Sequence, residues 1–110
     1  MKVSFFRTAS GRVPVADFID KQPDRDQAVI VASLEGIEEY GFSAKGVQFR
    51  QLQGKLWEIK IKAPSGGYRF LYATLDKDNI VILHSFKKKM QKTPKKEIDT
   101  ALKRLKEWLL

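Results

Sequence analysis

The chain has 110 residues, of which 43% are hydrophobic and 31% charged, and it carries a formal charge of +8. This length suits one domain, residues 1–110, and the hydrophobic fraction favours a packed core over a disordered segment. Cysteine is absent, which excludes disulfides, thiolate zinc sites and a cysteine nucleophile.

The first half of the chain predicts one strand and two helices. Apolar residues around Phe5 indicate a short strand. A short amphipathic helix is predicted over residues 14–21, with a proline at its first position, where the missing N–H has no intrahelical partner. Asp24 is a predicted N-cap for a second helix that runs to Tyr40, and Gly41 suits the left-handed residue that ends such a helix.

Alternating hydrophobicity predicts strands in the second half, over residues 47–53, 56–62, 68–75 and 80–86, joined by short turns. One face of the second of these strands carries Trp57, Ile59 and Ile61, and the other carries Glu58, Lys60 and Lys62. Short turns favour an antiparallel meander.

The chain ends in a predicted amphipathic helix, with Thr93 as its N-cap and Pro94 at its first position. The fold class is therefore α+β: an N-terminal strand, two helices packed on a mainly antiparallel sheet of about four to five strands, and a C-terminal helix.

No apolar run approaches the roughly 18 to 20 residues that a membrane-spanning helix needs. Arg7 interrupts the N-terminal segment before a signal-peptide core could form. We therefore expect a cytoplasmic protein with no membrane partner.

The positive charge lies in the second half of the chain. Residues 1–54 hold seven basic and seven acidic side chains, whereas residues 55–110 hold fourteen basic and six acidic ones. Six lysines and no acidic residue lie between positions 87 and 96. Such a cluster repels itself in a folded domain, so it favours a surface that binds a polyanion; a solvated basic surface is the alternative.

Four segments carry a resemblance to a known family: residues 56–59 (LWEI), 68–72 (YRFLY), 82–89 (ILHSFKKK) and 91–98 (QKTPKKEI). In this order they are similar to the HigB-like, phage-derived branch of the RelE toxin superfamily. The resemblance implies the toxin of a type II toxin–antitoxin pair. Such a toxin is an endoribonuclease that cleaves mRNA without a metal or cofactor, usually on the translating ribosome, and thereby inhibits translation.

The resemblance also implies a helix-turn-helix, HigA-like antitoxin as partner and a layout similar to microbial ribonucleases. In that layout the helices pack on one face of the sheet and the other face cups the RNA. Carried over by position, Lys60, Arg69 and the basic cluster with Lys88 match the places where the superfamily has its functional cations.

Cleavage of RNA by its own 2′-OH requires a base, an acid and stabilisation of the charged transition state. Arg69 suits the phosphate, because a guanidinium offers bidentate hydrogen bonds; a structural salt bridge is the alternative. His84 is the single imidazole and a candidate for proton transfer, but it follows an apolar run, where a hydrogen-bonded structural histidine is common. The predicted catalytic residues are Lys60, Arg69, His84 and Lys88.

The predicted RNA-binding residues are Lys62, Lys87, Lys89, Lys92 and Tyr68. Lysines bind the RNA backbone through counterion release. Tyr68 could stack on a base or belong to the core. Glu58 stands where the RelE branch favours a basic residue, so it could be a general base, a partner for Arg69 or a structural residue. Rival functions are a non-catalytic nucleic-acid-binding module and a phage protein-interaction domain.

Overall fold

The chain forms five β-strands and three α-helices in the computed structural model, which describes residues 1–110. In chain order these are β1 (Lys2–Phe5), α1 (Pro14–Asp20), α2 (Asp24–Tyr40), β2 (Val47–Gln53), β3 (Leu56–Ala63), β4 (Gly66–Asp76), β5 (Asn79–Lys87) and α3 (Lys95–Trp108). This order confirms the predicted α+β fold class. None of the helices has the length and apolar composition needed to cross a bilayer.

The five strands form one sheet in the order β1-β5-β4-β3-β2. Strands β2 to β5 make the predicted antiparallel meander, because each is joined to the next by a short turn. Strand β1 pairs with β5 in parallel, and the chain crosses one face of the sheet through α1 and α2 before it enters β2.

Helices α1 and α2 cover one face of the sheet. The buried residues of this layer are Val15, Ile19, Ile30, Leu34, Ile37, Ala44, Ile59, Ile61, Tyr68, Phe70, Tyr72, Ile80 and Ile82. Ile59 and Ile61 belong to it as the alternation in β3 predicts. Each fully buried aliphatic or Phe side chain of this kind contributes roughly 1.5–3 kcal/mol, so this layer is the main source of stability.

Helix α3 packs on the opposite face, which corrects the expectation that the helices leave that face open. Its Ala101 and Leu105 meet buried apolar residues of the sheet, including Leu71, Val81 and Leu83. A β-bulge places one extra residue, Leu83, in β5 opposite the Leu71–Tyr72 step of β4. On the sheet face opposite α1 and α2, helix α3 therefore covers one part, and the other part is basic and not covered by a helix.

The helix ends follow the predictions in part. Gly41 ends α2 with a φ of +60°, and its N–H donates to the carbonyl of Ile37, as predicted for a glycine at this position. The two predicted side-chain caps are wrong. Helix α2 begins at Asp24 itself, with Pro23 before it, and α3 begins after Pro94; neither helix has a side-chain cap.

Candidate functional site

A groove of about 830 Å³ lies where β2, β3 and β4 meet the chain that follows β5. Its lining includes Gln48, Lys60, Lys62, Ser65, Gly67, Arg69, Lys88 and Gln91. It contains four cationic residues and no acidic one, so its local charge matches a polyanion.

The sheet register brings the central residues of the groove together. Lys60 of β3 pairs with Arg69 of β4 on one side and with Gln48 of β2 on the other. Directly opposed residues of antiparallel strands share a face, with Cβ atoms about 4.5–5.5 Å apart. Lys88 continues β5, because its N–H donates to the carbonyl of Gly67 at 2.8 Å. Three predicted cations, Lys60, Arg69 and Lys88, therefore line one groove.

Arg69 forms the floor of the groove and is held from beneath. Its side chain is 2% exposed, and Nη1 donates to Glu58 Oε1 at 3.3 Å and to Thr93 Oγ1 at 2.9 Å. No hydrogen bond to the protein uses Nε, which is buried. Glu58 could be a general base, a partner for Arg69 or a structural residue. Because it is fully buried, the structure favours the role of partner to Arg69.

His84 lies under α3 and is not among the residues that line the groove. Its Nε2 is 3.0 Å from Glu97 Oε1, and its Nδ1 accepts from Arg104 Nη1 at 3.3 Å. Burial lowers the pKa of His84, and the hydrogen bond to Glu97 opposes that shift. A neutral ring with its proton on Nε2 satisfies both neighbours. These contacts favour the structural alternative that the sequence left open.

Tyr68 is buried on the α1 and α2 side of the sheet, with 1% of its surface exposed. Its hydroxyl donates to Asp26 Oδ2 at 2.5 Å, and its ring packs edge-on against Phe18. Burial and the bond to Asp26 raise the pKa of Tyr68. The ring offers no free face to a base, so the core alternative is favoured here too.

Asp26 in α2 connects this layer to the wall of the groove. Its carboxylate accepts hydrogen bonds from the Ser65 hydroxyl and the Ser65 N–H in the turn between β3 and β4. These bonds and the Tyr68 hydroxyl lower the pKa of Asp26. The turn that forms one wall of the groove is thereby tied to a helix on the far face of the sheet.

The predicted RNA-binding lysines take different positions. Lys62 and Lys88 are exposed and line the groove, whereas Lys89 and Lys92 are exposed on the neighbouring surface. Lys87 points to the other face: its Nζ donates to Ser65 Oγ at 2.9 Å and lies 5.7 Å from the centre of the Tyr68 ring. Lys87 therefore supports the groove wall in this structure.

Four site residues were not identified from the sequence. Gln48 and Gln91 line the groove, and Asp26 and Thr93 hold its walls. The strand register could have indicated Gln48, since β2 had to pair with β3. No sequence pattern distinguishes Asp26 from the other acidic residue in the first turn of α2. The structure contains no cluster of three acidic, histidine or cysteine side chains that could hold a metal ion.

Comparisons with known proteins identify relatives over nearly the whole chain. A family model described as phage-derived protein Gp49-like (DUF891) matches residues 17–106. Two relatives, each named probable endoribonuclease HigB1, come from Mycobacterium tuberculosis strains CDC 1551 / Oshkosh and ATCC 25618 / H37Rv. Each is 30% identical over 105 residues, which cover 94% of this chain and 82% of the relative.

Proposed function

The chain belongs to the phage-derived Gp49-like family, and on this premise we propose that it is a HigB-like toxin that acts as an endoribonuclease. The observation that carries the proposal is the convergence of Lys60, Arg69 and Lys88 on one groove. Three separate segments supply these cations, so local composition alone does not explain their meeting.

The groove suits cleavage of a phosphodiester by the adjacent 2′-OH. In that reaction the 2′-OH gives its proton to water as the bond from O2′ to phosphorus forms, the bond from phosphorus to O5′ breaks, and O5′ takes up a proton. The products are a 2′,3′-cyclic phosphate and a 5′-OH. Negative charge grows on the phosphate oxygens at the transition state, and fixed cations stabilise it. Arg69 stays charged throughout and is held rigidly by its partners, so it supplies this stabilisation without reorganisation.

Lys60 and Lys88 have a second use, because an ammonium group can donate a proton to the leaving O5′. Both line the groove, one from β3 and the other from the chain after β5. Lys62, Lys89 and Lys92 extend the basic surface along which an RNA backbone binds. His84 has no part in this proposal.

Membership of the family supports a proposal for the biological setting. We propose that the substrate is mRNA, cut on the translating ribosome in the cytoplasm, and that a helix-turn-helix antitoxin neutralises the toxin. Loss of mRNA then inhibits translation.

Purified protein incubated with a single-stranded RNA oligonucleotide, alone and with ribosomes, tests the activity. Chemical analysis of the RNA ends should give a cyclic phosphate and a 5′-OH. In the reaction without ribosomes, which themselves need Mg²⁺, EDTA should leave this result unchanged. Lys60→Met should slow cleavage at least tenfold, while the matched change Lys103→Met on the exposed side of α3 should not. RNA that binds but stays intact under both conditions would favour the rival, a non-catalytic binding module.

A further inference from the structure

Thr93 is a buried residue before α3 whose hydroxyl takes no part in the cleavage chemistry above. A threonine before a proline at a helix start usually caps the helix, but α3 has no side-chain cap. The Thr93 side chain points to the sheet instead, and only 5% of the residue is exposed.

The Thr93 hydroxyl bridges the two charged residues beneath the groove. Its Oγ1 accepts from Arg69 Nη1 at 2.9 Å and donates to Glu58 Oε1 at 2.5 Å, both shorter than the direct contact of 3.3 Å between Arg69 and Glu58. Hydrogen bonds to charged groups are stronger than neutral ones, and a buried charge that loses one is left poorly satisfied. Thr93 therefore fixes the guanidinium of Arg69.

The same hydroxyl anchors the lysine segment, Lys88–Lys92. The segment has no helix or strand, and its first residue is held by the bond from Lys88 N–H to the Gly67 carbonyl. Residues 89–92 make no hydrogen bond to the rest of the protein, so Thr93 is the next polar anchor along the chain. Three lysines in this short segment repel one another, and without a second anchor they would separate into solvent.

We propose that Thr93 is a positioning residue that holds the lysine segment over the groove and orients Arg69 at the same time. It acts on RNA through Arg69 and Lys88 and does not touch the substrate. The effect on cleavage rests on the proposed function, whereas the anchoring of the segment does not.

Three variants test this role: Thr93→Val, which keeps the shape and removes the hydroxyl; Thr93→Ser, which keeps the hydroxyl; and Thr100→Val, the control. Thr100 Oγ1 donates only to the Lys96 carbonyl within α3. The first readout is limited trypsin digestion of the folded protein, with the cut sites located by mass spectrometry. The second is kcat/KM on the RNA oligonucleotide, measured with ribosomes present where cleavage requires them.

Thr93→Val should be cut within the lysine segment about ten times faster than the parent and should lose about tenfold in kcat/KM. Thr93→Ser and Thr100→Val should match the parent in both readouts. The proposal is overturned if Thr93→Val digests like the parent, or if Thr93→Ser behaves like Thr93→Val. A parent protein that cuts no RNA refutes the proposed function, while the digestion still decides the role of Thr93.

A measurement on the unaltered chain covers the case in which Thr93→Val does not fold. The Thr93 hydroxyl proton should be visible by NMR in slow exchange with water, with contacts to the Arg69 guanidinium. A hydroxyl proton that exchanges as fast as that of the exposed Ser10 would overturn the proposal.

Discussion

Replacement of Glu58 by glutamine should destabilise the protein strongly, because it removes the charge that compensates a buried guanidinium. Glu58 is fully buried and Arg69 is 2% exposed, so Arg69 has almost no water to replace its partner. Breaking a buried ion pair by removing one member costs about 3–5 kcal/mol. The whole domain is expected to be stable by about 5–15 kcal/mol, so Glu58→Gln takes a large share of its stability.

Urea unfolding at pH 7, followed by circular dichroism, measures this loss. For a chain of this size the same loss lowers Tm by roughly 12–25 °C, at about 4–5 °C per kcal/mol. Asp99→Asn is the control, because Asp99 pairs with Lys95 on the surface of α3 and both are exposed. Exposed pairs contribute little, so the control should unfold like the parent.

A double variant distinguishes the cost of an unpaired buried charge from the effect of removing the whole ion pair. Glu58→Leu with Arg69→Met removes both charges and fills the space with apolar groups. Such replacements of a buried pair are often neutral for stability. The double variant should therefore be more stable than Glu58→Gln and yet cleave no RNA. A Glu58→Gln protein within about 1 kcal/mol of the parent would refute the reasoning, since that is far below the cost of an unpaired buried charge.

Three further predictions concern the surroundings of the groove. Lys88→Met removes an exposed ammonium group that lines the groove, so kcat/KM on the RNA oligonucleotide should fall several-fold with little change in Tm; unaltered kinetics would argue against a role for Lys88. Tyr68→Phe removes the hydroxyl bonded to Asp26 and should cost about 1.5–3 kcal/mol in urea unfolding. Its cleavage of RNA should persist, and a selective loss of cleavage would contradict the assignment of Tyr68 to the core. Burial lowers the pKa of His84 in the folded protein. As the pH falls below about 6.5, His84 therefore takes up a proton in the unfolded chain before it does so in the folded protein. The free energy of unfolding should therefore decrease from pH 7.5 to pH 5, and this decrease should be smaller in His84→Gln.

The strands of the meander and their order were predictable because their signals are local. Alternation in β3 places Ile59 and Ile61 against the helices and Lys60 on the other face, and short turns fix which strands are neighbours. These two features place Lys60 and Arg69 on neighbouring strands, and the register seen in the structure pairs them directly.

The remaining features depend on contacts between distant segments. Residues 80–83 are uniformly apolar, so nothing in the sequence marks the bulge at Leu83. The amphipathic pattern of α3 shows that this helix packs against the domain, but it does not show which face of the sheet the helix covers. Thr93 was misassigned because capping is a local preference. Its hydroxyl instead forms hydrogen bonds with Arg69 and Glu58, which lie far from it in the sequence.

The most direct test is a crystal structure with a short RNA whose 2′-hydroxyls are methylated, so that it binds without being cleaved. One phosphate should lie in the groove, within hydrogen-bonding distance of Lys60 Nζ and above the Arg69 guanidinium, with Lys88 on its other side. RNA bound on another surface, with the groove filled by water alone, would contradict the assignment of the groove as the place of cleavage.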